Sequence, residues 1–280
     1  MTRRGELRAV DQGVNMPTQG EAGRIDVHTH LLPGVDDGCQ SMGESLACAR
    51  ALVEAGYTHA FCTPHIWPGF PNNTGPFIAA RVPQLQVALQ EADIPLTVLP
   101  GGEINIQAMW PMIGYVPPDE IPTFGLNGKY ALVDFWADTI PEEFEAGVEY
   151  LWSLGLVVIL AHPERIGAFQ ARPELAGEWV GRGLRLQGNL QCFADPPGSR
   201  ARELAERYLH DGIYFLLGSD CHRLDSLPVR IEGLRLVTKL AGPEVVARLT
   251  MQNPRTLVAL PEADRQAQRP DPGTTSGRSV

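Results

Sequence analysis

The chain has 280 residues, 44% of them hydrophobic, and a formal net charge of −10. That length and composition suit one α/β barrel with a sizeable core, and the acidic balance excludes a nucleic-acid backbone as main partner, since such binding depends on Lys and Arg. No apolar run reaches the length of a membrane span and no apolar stretch follows the N-terminal charges, so neither membrane insertion nor a signal peptide is expected.

Cys39, Cys48, Cys62, Cys192 and Cys221 are odd in number and form no CxxC pair. A reducing cytoplasm is the expected setting. Residues 1–23 and 262–280 are polar and irregular and are expected to be disordered tails around one domain, 24–261.

A strand expected at 24–28 ends on His28-Thr29-His30. Two histidines separated by one residue face the same side of an extended segment, so both rings can reach one metal. The turn that follows carries Asp36 and Asp37, which taken alone are ordinary turn chemistry beside glycine. A helix at 41–55 opens with Ser41 and Glu44 in capping-box spacing, and Gly56 suits its stop; Glu44 therefore goes to the cap rather than to a metal. Strands at 58–63 and 96–100, with a helix at 77–91 between them, run into Thr63-Pro64-His65 and Gly101-Gly102-Glu103. Glycines allow close approach to an ion, and a carboxylate at Glu103 suits bridging two cations. Residues 103–127, rich in Pro and Gly, read as a loop over the mouth. Trp67, Phe70, Trp110 and Tyr115 form either a rim or plain loop packing.

Strands at 130–135 and 156–161 are nearly continuous apolar runs, as parallel strands covered on both faces are. The first places Asp134, expected to orient a ligand histidine from behind. The second ends on His162-Pro163-Glu164-Arg165, where a polar residue closing an apolar strand needs a reason. Arg165 offers a planar fork suited to phosphate, against the bland reading of a surface pair with Glu164. Helices at 142–154, 173–181, 199–210, 229–240 and 243–251 alternate with strands at 184–188 and 213–217, and the last strand leads into Ser219-Asp220-Cys221-His222. Barrel closure brings first and last strands together, so these residues share a site with His28 and His30, while Cys221 points away into packing. Any one cluster alone reads as a turn or a stray histidine. Six of them at strand ends read as a metal site for Zn, Mn or Fe. About seven strand–helix units delivering polar residues at their carboxyl ends favour a barrel over a doubly wound sheet.

The ordered set HxH, GVDDG, TPH, GGE, HPER and SDxH, with Gly43-Glu44-Ser45-Leu46 and Asn253-Pro254-Arg255, resembles the metal-dependent tyrosine-protein phosphatases of the PHP superfamily, CpsB/CapC type. The resemblance implies a distorted (β/α)7 TIM-like barrel holding two or three divalent ions, manganese first and iron or zinc as alternatives. It implies His28, His30, Asp37, His65, Glu103, His162, Asp220 and His222 as ligands, with Arg165, Asp37 and His222 in catalysis. The implied substrate is a phosphotyrosine protein, a bacterial tyrosine kinase of capsular or exopolysaccharide synthesis, and an oligomer is compatible with it. Two departures stand out: Ile166 replaces the usual Tyr, and Leu227 replaces an Arg that Arg223 or Arg230 would have to supply.

Four other readings compete. A PHP-type phosphatase of a small ester such as histidinol phosphate differs only in substrate. An amidohydrolase of the carboxylated-lysine kind needs a Lys at the end of the fourth strand, and Lys129 lies at its entry. A thiol phosphatase needs Cys-x5-Arg, which none of the cysteines has. A metal-binding regulator on a degenerate barrel fits poorly with a complete ligand set.

Overall fold

The apolar runs become parallel strands because each is covered on both faces and returns through a helix. The computed structural model describes residues 23–110 and 112–257; the expected tails, apart from Gly23, and the last residues of the expected domain lie outside them. The strands are β1 (Arg24–Thr29), β2 (Tyr57–Cys62), β3 (His65–Ile66), β4 (Thr97–Pro100), β5 (Glu103–Asn105), β6 (Tyr130–Asp134), β7 (Val157–Ala161), β8 (Arg185–Asn189) and β9 (Leu216–Gly218). Hydrogen bonding runs β1-β2-β4 in one sheet and β3-β5-β6-β7-β8-β9 in the other, all parallel.

The two sheets are one ring. β3 continues β2 beyond Thr63-Pro64, and β5 continues β4 beyond Gly101-Gly102, so the described segments make seven staves. β9 meets β1 where His30 N donates to the Cys221 carbonyl at 2.8 Å and Asp220 N donates to the His28 carbonyl at 2.8 Å. The expected (β/α)7 barrel is thus closed, and closure leaves no unpaired sheet edge. Ile25, Val27, Phe61, Leu132, Ile159, Ala161 and Leu216 fill its interior, and a larger apolar layer separates barrel from helices.

Most helices fall where periodicity places them. Ser41 Oγ accepts from Glu44 N at 3.3 Å and Glu44 Oε2 accepts from Gln40 N at 2.6 Å, so Glu44 serves the helix start as expected. The helix Leu227–Ala247 breaks at Gly242 (φ 83), where the sequence expects two helices to meet. The segment after β5 differs from expectation. It is not a plain loop over the mouth but the crossover to β6, built of short helical turns at Ile106–Met109, Met112–Tyr115, Pro118–Glu120 and Phe124–Leu126. A parallel successor requires the chain to return to the opposite end of the barrel, and on the way Phe124 is buried edge-on against Phe61, ring centroids 4.8 Å apart.

Helix Leu227–Ala247 lies so close to the turn Leu190–Ala194 that a Cβ on Gly233 would sit 1.8 Å from the Leu190 carbonyl oxygen. Backbone cannot yield as a side chain does. Gly233→Ala is expected to cost about 1–3 kcal/mol or more, read as a lower urea midpoint at unchanged m-value.

Candidate metal centre

The site lies at the carboxyl ends of the strands, and local backbone devices aim its side chains. The β1–β2 register shifts between Asp26 and Thr29, so β1 carries an extra residue. Such a bulge re-aims side chains, and His28 joins the interior although Val27 already faces it. On β6, Leu132 faces the interior and Asp134, two residues on, shares that face at the rim. His162 (φ 35) and Asp220 (φ 53) end their strands in the left-handed region, a strained conformation for residues with a Cβ. Gly218 has no side chain because a Cβ would meet His28 Cβ at 2.8 Å and Gln187 Nε2 at 3.0 Å.

All eight expected ligands come together. His28 Nε2 lies 3.3 Å from His30 Nε2, 3.3 Å from Glu103 Oε2 and 3.5 Å from Asp220 Oδ1. His30 Nε2 is 3.6 Å from Glu103 Oε2 and 3.4 Å from Asp220 Oδ1. Neighbouring donors around one ion with bonds of about 2.1 Å stand roughly 3–3.4 Å apart, close to the spacings here, so these groups could hold an ion. Asp37 Oδ1 is 3.4 Å from both His65 Nε2 and His222 Nε2. Three contiguous donor groups result: His30, Asp37, His65 and His222; His28, His30 and Glu103; Glu103, Asp134 and His162. His30 and Glu103 each belong to two.

Unsatisfied polar atoms supply the test of fit. Glu103 Oε2, Asp134 Oδ1, His65 Nδ1 and His162 Nδ1 are buried without a hydrogen-bond partner. His65 Nδ1 and Glu103 Oε2 are 2.8 Å apart yet not aligned as donor and acceptor, as befits two groups facing one shared centre. Buried polar groups of this kind need a partner, and divalent ions bound by N and O ligands meet that need. The carboxylates respond to one another. Burial raises the Glu103 carboxyl, but the charge of His28 and the close approach of His162, His28 and His65 outweigh it and hold the carboxyl well below its usual range. Asp134 is pushed well above its range by burial and then by the Glu103 charge. A bound cation would let both remain ionised.

Outer contacts fix the rings. His28 Nδ1 is 2.8 Å from Gln187 Oε1, and His30 Nδ1 is 2.7 Å from Asp36 Oδ2, leaving Nε2 of each toward the centre. His222 Nδ1 sits 3.0 Å from the Asp220 carbonyl. Asp36, read from sequence as turn chemistry, is therefore the orienting carboxylate. It also accepts from His65 N at 3.0 Å and Gly38 N at 2.9 Å. Its carboxyl is lowered to about 2, because His30 and these hydrogen bonds outweigh burial. Asp36→Asn keeps the shape and removes the charge that favours the ligating tautomer. Metal affinity is expected to fall about 10–100-fold, measured by competition with a chelator of known affinity.

Asp134 was expected behind a histidine. Its Oδ2 accepts from Trp136 Nε1 at 2.8 Å, and it stands with Glu103 and His162 in one of the groups that could hold an ion. Arg165 NH1 donates to Asp220 Oδ2 at 2.7 Å, with 38% of its side chain exposed, so it stands at the mouth. Glu164 does not pair with it at the surface: it is fully buried, accepts from Asn189 N at 2.6 Å and Tyr214 OH at 2.9 Å, and burial lifts its carboxyl to about 7. Arg223 is exposed beside the Asp37 carbonyl, at 3.5 Å. Arg230 is buried and donates to the carbonyls of Ser219, Asp220 and Ser226, so it braces the Asp220 turn rather than replacing the arginine missing at Leu227. Of the aromatic rim, Trp67 and Phe70 stack on His65, while Trp110 packs on Tyr150. Cys221 is buried against the Arg223 carbonyl, away from the donors. Trp136 escaped the sequence reading, with only its place two residues after Asp134 as a signal, and Asp36 was read there only as turn chemistry.

A seven-stranded parallel barrel with histidines and carboxylates gathered at its carboxyl mouth is the architecture of a metal-dependent barrel hydrolase. The chain belongs to the capsular polysaccharide synthesis family CpsB/CapC, which matches residues 24–259. It is 30% identical over 250 residues to the tyrosine-protein phosphatase YwqE of Bacillus subtilis, covering 88% of this chain and 96% of the relative. It is 26% identical to the tyrosine-protein phosphatase CpsB of Streptococcus pneumoniae, covering 84% and 98%. Among solved structures, one from the work on YwqE and CpsB, described as unique metal-dependent tyrosine phosphatases, superposes with TM-score 0.75 at 28% identity, covering 83% of this chain and 94% of the other. A putative 2-pyrone-4,6-dicarboxylic acid hydrolase from Pseudomonas putida, at TM-score 0.51 and 15% identity, shares the fold alone.

Proposed function

We propose that this chain is a metal-dependent protein-tyrosine phosphatase, acting in the cytoplasm on a bacterial tyrosine kinase of capsular or exopolysaccharide synthesis. The observation that carries the reading is the three contiguous donor groups linked through His30 and Glu103, beside the part-exposed guanidinium of Arg165. The relatives YwqE and CpsB, named tyrosine-protein phosphatases, support the substrate class. Among the described residues no helix is long and apolar enough to cross a membrane.

His28, His30, Asp37, His65, Glu103, Asp134, His162, Asp220 and His222 would hold two or three ions, manganese being our choice. Such ions supply Lewis acidity and a water of lowered pKa. Arg165, at the mouth and always charged, binds and orients the phosphate and neutralises charge on its non-bridging oxygens. Arg223, exposed beside the Asp37 turn, is the nearest further cation for the same group. Burial of His28, His30, Glu103 and Asp134, none with exposed surface, keeps bulk water from the inner donors. The reading calls for no thiolate: the Cys48 thiol is pushed up to about 12 by its contact with Cys221 and by burial, and burial raises Cys62 and Cys192 too.

The test is substrate profiling under manganese. A phosphotyrosine peptide is expected to be hydrolysed with kcat/KM at least about tenfold above simple alkyl phosphates, the scale of one well-placed contact, and the Cys221→Ala variant is expected to match the wild type. Equal rates on alkyl esters and phosphotyrosine would move the protein to the small-ester phosphatases of the same superfamily.

A further inference from the structure

The two ends of the Trp136 side chain meet different surroundings. Its N–H donates to Asp134 Oδ2 at 2.8 Å, and its ring lies 5.5 Å from the His162 ring with a 30° tilt. Arg165 Cζ stands 5.3 Å from the ring centroid. Yet Trp136 is 44% exposed, whereas Asp134, His162 and Asp220 are at most 2% exposed. Indoles are heavily buried on average, so one left open at the rim of a polar cluster marks a contact surface. Its polar edge is tied to Asp134, which fixes the plane of the ring before anything binds. Trp67, by contrast, stacks on His65 at 4.3 Å and is only partly exposed.

We infer that the exposed face of Trp136 is the platform for the aromatic ring of the substrate and makes the site select aryl over alkyl phosphate esters. This deepens the phosphotyrosine reading and rests on it. A phosphate gripped by Arg165 brings its ester group next to the indole, because the guanidinium itself lies against that ring. An aryl ester then gains an offset or edge-on ring contact, which an alkyl ester lacks.

The experiment is equilibrium binding of phenylphosphonate and ethylphosphonate to the manganese-loaded protein by calorimetry, in wild type, Trp136→Phe and Trp136→Leu. Both variants lack the indole N–H, so any effect through Asp134 is common to them and only the aromatic face differs. The wild type is expected to prefer phenylphosphonate, Trp136→Phe to keep most of that preference, and Trp136→Leu to reduce it about three- to tenfold. A wild-type preference that Trp136→Leu retains, or that Trp136→Phe and Trp136→Leu lose alike, overturns the platform and leaves the phosphotyrosine reading standing. Equal wild-type affinity for the two phosphonates removes both.

Discussion

Glu103→Ala is expected to lose bound metal and activity together. Glu103 meets four of the histidines: Oε2 lies 2.8 Å from His65 Nδ1, 3.3 Å from His28 Nε2 and 3.6 Å from His30 Nε2, and Oε1 lies 2.9 Å from His162 Nε2. Removing it takes a donor from two groups at once and leaves the histidines without the carboxylate that balances bound cation charge. Partners one layer further out typically change affinity by about 10–100-fold, so loss of the shared donor should exceed about 100-fold in activity. Elemental analysis of gently purified wild type should give more than one equivalent of divalent metal, and the variant one or fewer. Excess chelator should abolish wild-type turnover and manganese restore it. A wild-type stoichiometry at or below one, unmoved by added manganese, would sink the multinuclear site.

Arg165→Ala is expected to lower kcat by about 100-fold or more, the size of effect seen when one transition-state donor is removed, with metal content unchanged. The second half of that expectation comes from how Asp220 is held. Arg165 NH1 binds its Oδ2 at 2.7 Å, but Asn189 Nδ2 holds the same oxygen at 2.9 Å and Arg230 anchors its carbonyl at 3.0 Å. Asp220 should therefore stay in place when Arg165 is shortened. Arg165→Lys should recover only part of the rate, because an ammonium lacks the planar fork. Loss of metal in Arg165→Ala would make the arginine a clamp on Asp220 instead of a phosphate ligand, and wild-type kinetics would return it to surface charge.

The strands and the mouth were legible because both rest on local signals. β6 and β7 are apolar enough to declare burial on both faces, and His28, His30, Glu103, His162 and Asp220 each interrupt or end such a run at a point where a polar side chain has no packing role. The fates of residues within one or two positions of those ends were less legible. Asp36 and Asp37 are adjacent and chemically identical, and only the fold of the turn sends one to His30 Nδ1 and the other to His65 and His222. Arg223 and Arg230 were equal candidates, yet burial commits Arg230 to three backbone carbonyls.

Barrel class and family, and the candidate donors, could be read from the chain alone, because alternation, strand ends and ordered motifs are properties of one stretch at a time. Only the tertiary structure shows which candidate donors come together, that Asp134 joins Glu103 and His162, that Asp36 stands behind His30, and that Trp136 is left open beside Arg165. Those assignments depend on the bulge in β1, on the left-handed turns at His162 and Asp220, and on closure of β9 against β1. Each rotates or juxtaposes side chains contributed by strands far apart in sequence. A shift of one residue in register reverses the direction of a strand side chain without changing a letter of its motif.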